Sequence, residues 1–227
     1  MSKAGGTPFY DYEVDIIRPF LDKVVVCLIL GPSGVGKGTA IGSLIIRPSF
    51  SQLVRYTTRP QWPEDQEGYQ YHFITQAKFD EMILQSEFLE WRSYGSSYYG
   101  TSRSKFISAF CQEGTLLVDM NLHMALDLKR VCVDAGIKCV DILISPGDPA
   151  LLHTEKGIEK SLTILRDRIR HRNRGEGSEE IEARIRLARR FLLEADKISH
   201  HIGSIDGHQD QVVSEIATIA SKALMQK

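Results

Sequence analysis

Apolar residues in this chain alternate between short continuous runs and longer stretches that predict helices. Residues 24–30 (VVVCLIL) and 115–120 (TLLVDM) are nearly all apolar, which is typical of strands buried on both faces of a parallel sheet. A helix is predicted after each run, at residues 39–46 and in a stretch ending near Asp134. A strand near residues 53–58 is predicted to follow the first helix. This alternation predicts an α/β fold with a parallel sheet.

Residues 59–101 interrupt the alternation. Residues 69–74 and 88–91 alternate in polarity as strands do, around a short predicted helix at 77–84. The pattern favours an inserted lobe of mixed α/β structure whose strands are mainly antiparallel.

The C-terminal part returns to the first pattern. Strands are predicted at 139–144 and 198–202, and helices at 158–170, 178–195 and 210–225. A basic, glycine-containing stretch at 171–177 joins the first two of these helices. Ser178 precedes Glu180 and an apolar run, so it is predicted to be a helix N-cap.

The stretch at residues 31–39 reads Gly-Pro-Ser-Gly-Val-Gly-Lys-Gly-Thr and directly follows the first apolar run. A glycine-rich loop between a strand and a helix lets backbone N–H groups converge on phosphate oxygens, and a lysine adds charge for the β- and γ-phosphates. The motif is therefore predicted to be a P-loop, with a chance glycine-rich turn as the alternative. The candidate phosphate-binding residues are Gly31, Ser33, Gly34, Val35, Gly36, Lys37, Gly38 and Thr39.

Length and composition narrow the class of protein. A chain of 227 residues that is 42% hydrophobic can bury one full core. Its 28 basic and 29 acidic residues nearly balance, which argues against a nucleic-acid or membrane-surface partner. The four cysteines form no CxxC pair, and no apolar stretch is long enough for a membrane anchor. We therefore expect a cytoplasmic protein with reduced cysteines.

Four motifs after the P-loop resemble those of the guanylate kinase family. They are Thr-Thr-Arg-Pro at 57–60, Gly-Tyr-Gln-Tyr-His-Phe at 68–73, Glu-Phe-Leu-Glu-Trp at 87–91 and Ser-Tyr-Tyr-Gly-Thr-Ser at 97–102. Their order and spacing match the GMP-binding lobe of that family. The resemblance covers residues 23 to about 225.

The resemblance implies a P-loop NTPase fold, a three-layer sandwich with a parallel sheet, an inserted nucleoside-monophosphate-binding lobe and a helical lid. It implies that the protein phosphorylates GMP to GDP, with ATP as the phosphoryl donor and Mg²⁺ as the cofactor. The implied divisions are an N-terminal extension at 1–22 and a guanylate-kinase-like domain at 23–227, with a core at 23–58 and 102–227, an acceptor-binding lobe at about 59–101 and a lid at about 168–186. The resemblance leaves the oligomeric state open.

The resemblance also implies a role for individual residues. Arg59, Tyr71 and Tyr99 match positions that grip the acceptor phosphate, and Glu90 and Thr101 match positions that read guanine. In that family the carboxylate accepts hydrogen bonds from the N1 and N2 hydrogens of guanine, a pair of donors that adenine lacks. The resemblance also implies a catalytic set, which consists of Lys37, Arg59, Arg168, Arg172 and Arg184, and Arg174 is a further candidate in the lid. For the metal ion it implies Thr39 and Asp119, with Asp119 acting directly or through water.

Four positions depart from the family pattern. Trp62 stands in place of a second phosphate-binding arginine, Asn121 in place of an aspartate near the base, and Gly38 in place of the P-loop serine. Arg55 stands in place of a serine that contacts guanine. Two roles remain open for Arg55: it holds the acceptor phosphate, or it forks onto guanine O6 and N7.

Two other functions remain possible at this point. One is a kinase of the same fold that acts on another phosphorylated acceptor, which the changes at Arg55, Trp62 and Asn121 would permit. The other is a non-catalytic guanylate-kinase-like module that binds proteins. The second is weakened because Lys37 and the P-loop glycines are present.

Overall fold

The computed structural model describes residues 6–171, 177–205 and 208–226. Its strands are β1 (Val24–Leu30), β2 (Phe50–Gln52), β3 (Arg55–Thr57), β4 (Tyr71–Phe73), β5 (Phe88–Tyr94), β6 (Ser97–Ser102), β7 (Gly114–Met120), β8 (Cys139–Pro146) and β9 (His200–Ser204). Its α-helices are α1 (Asp11–Ile17), α2 (Lys37–Ile45), α3 (Gln76–Leu84), α4 (Arg103–Phe110), α5 (Leu122–Asp134), α6 (Glu155–His171), α7 (Ser178–Leu193) and α8 (Gln209–Met225).

The larger sheet has the order β2-β7-β1-β8-β9, and all its pairings are parallel. Every residue of β1 is buried, because this central strand has a neighbour on each side and helices α5 and α8 pack against it. The prediction of an α/β fold with a parallel sheet is confirmed. Parallel strands end at one edge, so the P-loop after β1 and Asp119 in β7 meet there.

The smaller sheet has the order β4-β3-β6-β5 and forms the inserted lobe. Strand β6 pairs antiparallel with β3 and β5, whereas β3 and β4 are parallel. Its own small core consists of Phe79 of α3 with Met82 and Phe88. The predicted mixture of helix and mainly antiparallel strands is therefore present.

The strand predicted at residues 53–58 is present only in part. Residues 55–57 form β3 of the smaller sheet, whereas Leu53 directly follows β2 and pairs with the larger sheet. Leu53 explains the break, since its N–H donates to the carbonyl of Leu117 and its side chain is buried in the main core. The chain then changes sheets at Val54.

The boundary of α7 also differs from the expectation. Ser178, predicted as the N-cap, is the first helical residue, and Gly177 is the N-cap. Gly177 has the extended φ and ψ of −71° and 160° that precede a helix, so the cap falls one residue earlier. Within the residues that the structure describes, no helix combines the length and apolar character needed to cross a bilayer.

The segment before β1 packs against the base of the lobe. Ile17 of α1 is fully buried in the main core. Glu13, also buried, accepts a hydrogen bond of 2.7 Å from the guanidinium of Arg103 at the start of α4. The N–H of Thr7 donates to the carbonyl of Leu89 at 2.6 Å. The N-terminal segment is thus attached to β5 beside residue 90.

Candidate active site

The P-loop connects the end of β1 to the start of α2. Gly31, Gly34 and Gly36 have φ values of 149°, 99° and 100°, which side chains other than glycine rarely adopt. Gly36 caps α2, so the positive end of the helix dipole and its unpaired N–H groups face the loop. These features suit the loop to binding phosphate.

Lys37 is held across the mouth of the loop. Its Nζ donates to the carbonyl of Gly31 at 2.7 Å and lies 3.8 Å from Asp119 Oδ1 at the end of β7. Burial raises the pKa of the Asp119 carboxyl, and the nearby ammonium opposes that shift. A cation and a carboxylate therefore lie side by side at the edge where phosphates are expected.

A cavity of about 900 Å³ opens at this edge. P-loop residues 33–39 form part of its wall, and Asp65, Tyr69 and Tyr71 of the lobe form another part. Asp119 and Arg168 also line it. The cavity is therefore shared by the phosphate loop and the lobe, as two phosphorylated ligands held end to end would require.

The residues predicted to grip the acceptor phosphate lie near one another. Arg59 donates to Asp65 Oδ2 at 2.8 Å, and its guanidinium carbon lies 5.7 Å from the ring centroid of Tyr71. The rings of Tyr71 and Tyr99 meet edge to face at 5.5 Å. Burial raises the pKa of Tyr71, so its phenol stays protonated and can donate a hydrogen bond to phosphate.

Arg55 lies with the predicted base-reading residues. Its Nη2 donates to Glu90 Oε1 at 2.6 Å and its Nε to Thr101 Oγ1 at 3.0 Å. The Met124 sulfur also lies 3.0 Å from Nη2. Arg55 is 3% exposed, and Glu90 and Thr101 are fully buried. Of the two roles left open for Arg55, these contacts favour the base side of the site.

The second oxygen of Glu90 has a different environment. Among the described residues, Glu90 Oε2 is the one buried side-chain nitrogen or oxygen without a hydrogen-bond partner. Burial raises the pKa of this carboxyl, and the adjacent Arg55 opposes the shift. A buried acceptor without a donor costs roughly 1–3 kcal/mol, so a ligand that brings a donor to this oxygen gains the corresponding stabilisation.

Asn121 has a structural contact of its own. Its side-chain oxygen accepts a hydrogen bond of 3.1 Å from the Met124 N–H and caps α5. The cap of α5 is Asn121 and not Asp119, which lies two residues earlier. Its predicted contact with GMP remains a prediction.

Asn121→Ala is expected to lower the free energy of unfolding by about 1 kcal/mol, because it removes the side-chain cap of α5. Asn121→Asp should unfold at nearly the wild-type denaturant concentration, since aspartate caps equally well. Urea titration followed by circular dichroism measures both. Equal destabilisation by the two substitutions would contradict the capping role.

The arginines predicted to belong to a lid differ in what they contact. Arg168 of α6 donates from Nη2 to the Ser204 carbonyl at 2.8 Å and lines the cavity. Arg184 of α7 donates from Nη1 to Ser33 Oγ of the P-loop at 3.1 Å. The other two candidates, Arg172 and Arg174, lie outside the described residues.

The predicted metal ligands share the cavity wall. Thr39 in the first turn of α2 and Asp119 both line the cavity, while Gly38 contributes no side chain and has open space around it. No group of three or more His, Cys, Asp or Glu side chains that could hold a metal ion occurs in the described part of the chain. One carboxylate and one hydroxyl suit Mg²⁺, which keeps most of its waters and phosphate ligands.

Asp65 is a site residue that the sequence pattern did not reveal. Its Oδ2 accepts from both Arg59 Nη2 and the Trp62 N–H, at 2.8 and 2.9 Å. This places the guanidinium of Arg59 over the Trp62 ring, 4.0 Å from the centroid. A carboxylate in a short turn after a predicted phosphate-binding arginine is the signal that could have identified it.

Comparisons with known proteins agree with this geometry. The sequence model of the guanylate kinase family matches residues 23–189. A guanylate kinase of Synechococcus sp. (strain JA-3-3Ab) is 32% identical over 204 residues, which cover 89% of this chain and 84% of the relative. That of Nostoc sp. (strain PCC 7120) is 34% identical over 191 residues, covering 83% of this chain and 85% of the relative.

A solved structure has a similar fold. The crystal structure of guanylate kinase from Anaplasma phagocytophilum superimposes with a TM-score of 0.66 at 17% identity, and the match covers 92% of this chain and 90% of that one. At this identity the likeness concerns the fold. The family match over residues 23–189 and the relatives above 30% identity confirm the resemblance found in the motifs. The chain belongs to the guanylate kinase family.

Proposed function

We propose that this protein transfers the γ-phosphoryl group of ATP to GMP, producing ADP and GDP. The observation that carries the proposal is Glu90 Oε2, a buried oxygen of the lobe that has no hydrogen-bond partner among the described residues. Guanine offers N1–H and N2–H donors to such an oxygen, and adenine offers no such pair. A hydrogen bond from the ligand to Glu90 Oε2 would therefore favour guanine over adenine.

The two phosphate sites support transfer between two nucleotides. The P-loop with Lys37 would hold the β- and γ-phosphates of ATP. Arg59, with the phenols of Tyr71 and Tyr99, would hold the phosphate of GMP. The P-loop and Tyr71 line one cavity, and Arg59 lies beside Tyr71. The acceptor phosphate would therefore approach the γ-phosphorus in line with the bond to the β-phosphate oxygen.

In the transfer, an oxygen of the GMP phosphate forms a bond to the γ-phosphorus as the bond to the ADP oxygen breaks. Lys37 and Arg59 would offset the negative charge on the transferring group. Arg168 and Arg184 approach from the lid and would add charge and exclude water. Positioning and charge, rather than covalent participation of the protein, account for catalysis.

Mg²⁺ is the cofactor that we propose with ATP. Thr39 and Asp119 would hold it, with Asp119 acting directly or through a water molecule. When bound, the ion would supply positive charge that offsets the negative charge of the ATP phosphates. Lys37, 3.8 Å from Asp119, keeps that carboxylate oriented towards the same edge.

Glu90→Gln is expected to lower kcat/KM for GMP about 10- to 100-fold. The glutamine amide has an NH₂ donor where the carboxylate has an acceptor, so one N–H group of guanine would lack an acceptor in this buried site. The KM for ATP should change less than twofold, since the P-loop is untouched. Steady-state rates with each nucleotide varied in turn measure both constants.

Glu81→Gln is the matched control, because Glu81 is an exposed residue of α3 in the same lobe. It should leave both constants near the wild-type values. If Glu90→Gln weakened ATP and GMP equally, Glu90 would not be a base-reading residue.

A further inference from the structure

The indole of Trp62 lies beside two guanidinium groups that come from different parts of the chain. The guanidinium carbon of Arg59, in the lobe, is 4.0 Å from the ring centroid, and that of Arg184, in α7, is 4.9 Å from it. Both distances fall within the range of cation–π contacts. Trp62 therefore joins the lobe to the lid helix.

Each arginine in this arrangement is also anchored elsewhere. Arg59 is paired with Asp65, which accepts the backbone N–H of Trp62 as well. Arg184 donates to Ser33 Oγ in the P-loop, and the side chain of Arg184 is 17% exposed. The indole thus sits where lobe, lid and phosphate loop meet.

The chemistry of the ring suits this place. Two guanidinium groups close together repel, whereas the negative face of an indole attracts each of them. An arginine at position 62, as the family resemblance would have it, would put a third positive charge between them. A tryptophan holds the two arginines near each other without adding charge and without consuming their hydrogen-bond donors.

We propose that Trp62 is a positioning residue that couples closure of the lid to the acceptor-binding lobe by holding Arg184 against Arg59. This inference rests on the proposed phosphoryl transfer, because the two arginines converge where the acceptor and transferring phosphates would lie. The indole holds charge in place for the transferring group; it does not itself contact the phosphates. Lobe and lid then close together rather than independently.

Kinetics of ring and non-ring substitutions test this role. Trp62→Leu should lower kcat by roughly 2- to 30-fold, the loss of one or two partly desolvated cation–π contacts, and Trp62→Phe should recover most of that loss. In an Arg184→Ala background, Trp62→Leu should lower kcat by a smaller factor than in the wild-type protein, because only the contact with Arg59 is left to lose. A purely structural role would not produce recovery by phenylalanine together with non-additivity.

Fluorescence tests the contact independently of activity. Trp91→Phe leaves Trp62 as the single tryptophan. In that protein, Arg184→Ala should increase quenching of Trp62 by acrylamide, because the guanidinium no longer covers the ring. Arg186→Ala is the matched control on the exposed side of α7 and should leave quenching unchanged.

The outcomes separate this inference from the proposed function. Failure of the wild-type protein to phosphorylate any nucleoside monophosphate would overturn the proposed function, and quenching would still decide whether Arg184 covers Trp62. Quenching that ignores Arg184→Ala, or additive kinetic effects of Trp62→Leu and Arg184→Ala, would overturn the coupling role of Trp62.

Discussion

Replacing Lys37 with methionine is expected to lower kcat about 100-fold or more, the scale of losing one preorganised charge at the transferring group. Lys37 Nζ is held by the Gly31 carbonyl and lies near Asp119, so its position is set before ATP arrives. Methionine has a similar length and no charge. Rates of ADP formation at saturating ATP and GMP measure the loss.

Lys23→Met provides the control for this experiment. Lys23 precedes β1 at the end of the strand opposite the P-loop, is exposed, and pairs with Glu113. Its substitution should leave kcat unchanged. Full activity of the Lys37→Met protein would contradict a catalytic function for the P-loop.

Arg55→Ser is expected to lower the free energy of unfolding by about 3–5 kcal/mol, because it leaves the fully buried Glu90 carboxylate without its cation. The double variant Arg55→Ser/Glu90→Gln should be more stable than Arg55→Ser, since the remaining group is then neutral. Denaturant titrations of the wild-type protein, the two single variants and the double variant measure the differences. Destabilisation of the double variant by the sum of the two single effects would contradict this account of the pair.

The same substitution decides between the two roles of Arg55. If its guanidinium reads the base, Arg55→Ser reduces the discrimination of GMP from AMP by about 1–3 kcal/mol, the scale of one bidentate base contact. The contacts of Arg55 with Glu90 and Thr101 favour this result. An equal fall of kcat/KM for both monophosphates would instead identify Arg55 as a phosphate ligand.

The parts of the fold that could be predicted from sequence depend on local patterns. The apolar run of β1 and the glycines after it indicate a buried strand and a phosphate loop without reference to the rest of the chain. Asp119 follows the same logic, because a carboxylate at the end of a buried parallel strand lies at the ligand-binding edge. The structure brings Lys37 and Asp119 together as this predicts.

Contacts between distant side chains could not be read from the sequence in the same way. Glu90 and Arg55 are 35 residues apart, and Glu13 and Arg103 are 90 apart. Motif spacing places such residues in elements, but their pairing depends on how the lobe packs against the main sheet. The contact of Trp62 with Arg184 is of this kind, because it joins the lobe to α7.

The most direct test of the proposed function is a rate measurement with a panel of acceptors. The full chain is incubated with ATP and Mg²⁺ and with GMP, dGMP, AMP, CMP or UMP in turn, and the nucleoside diphosphate products are separated and identified. The account predicts GDP from GMP, with kcat/KM at least about tenfold above that for AMP, the equivalent of 1.4 kcal/mol. Absence of GDP, or faster phosphorylation of AMP, CMP or UMP than of GMP, would contradict it.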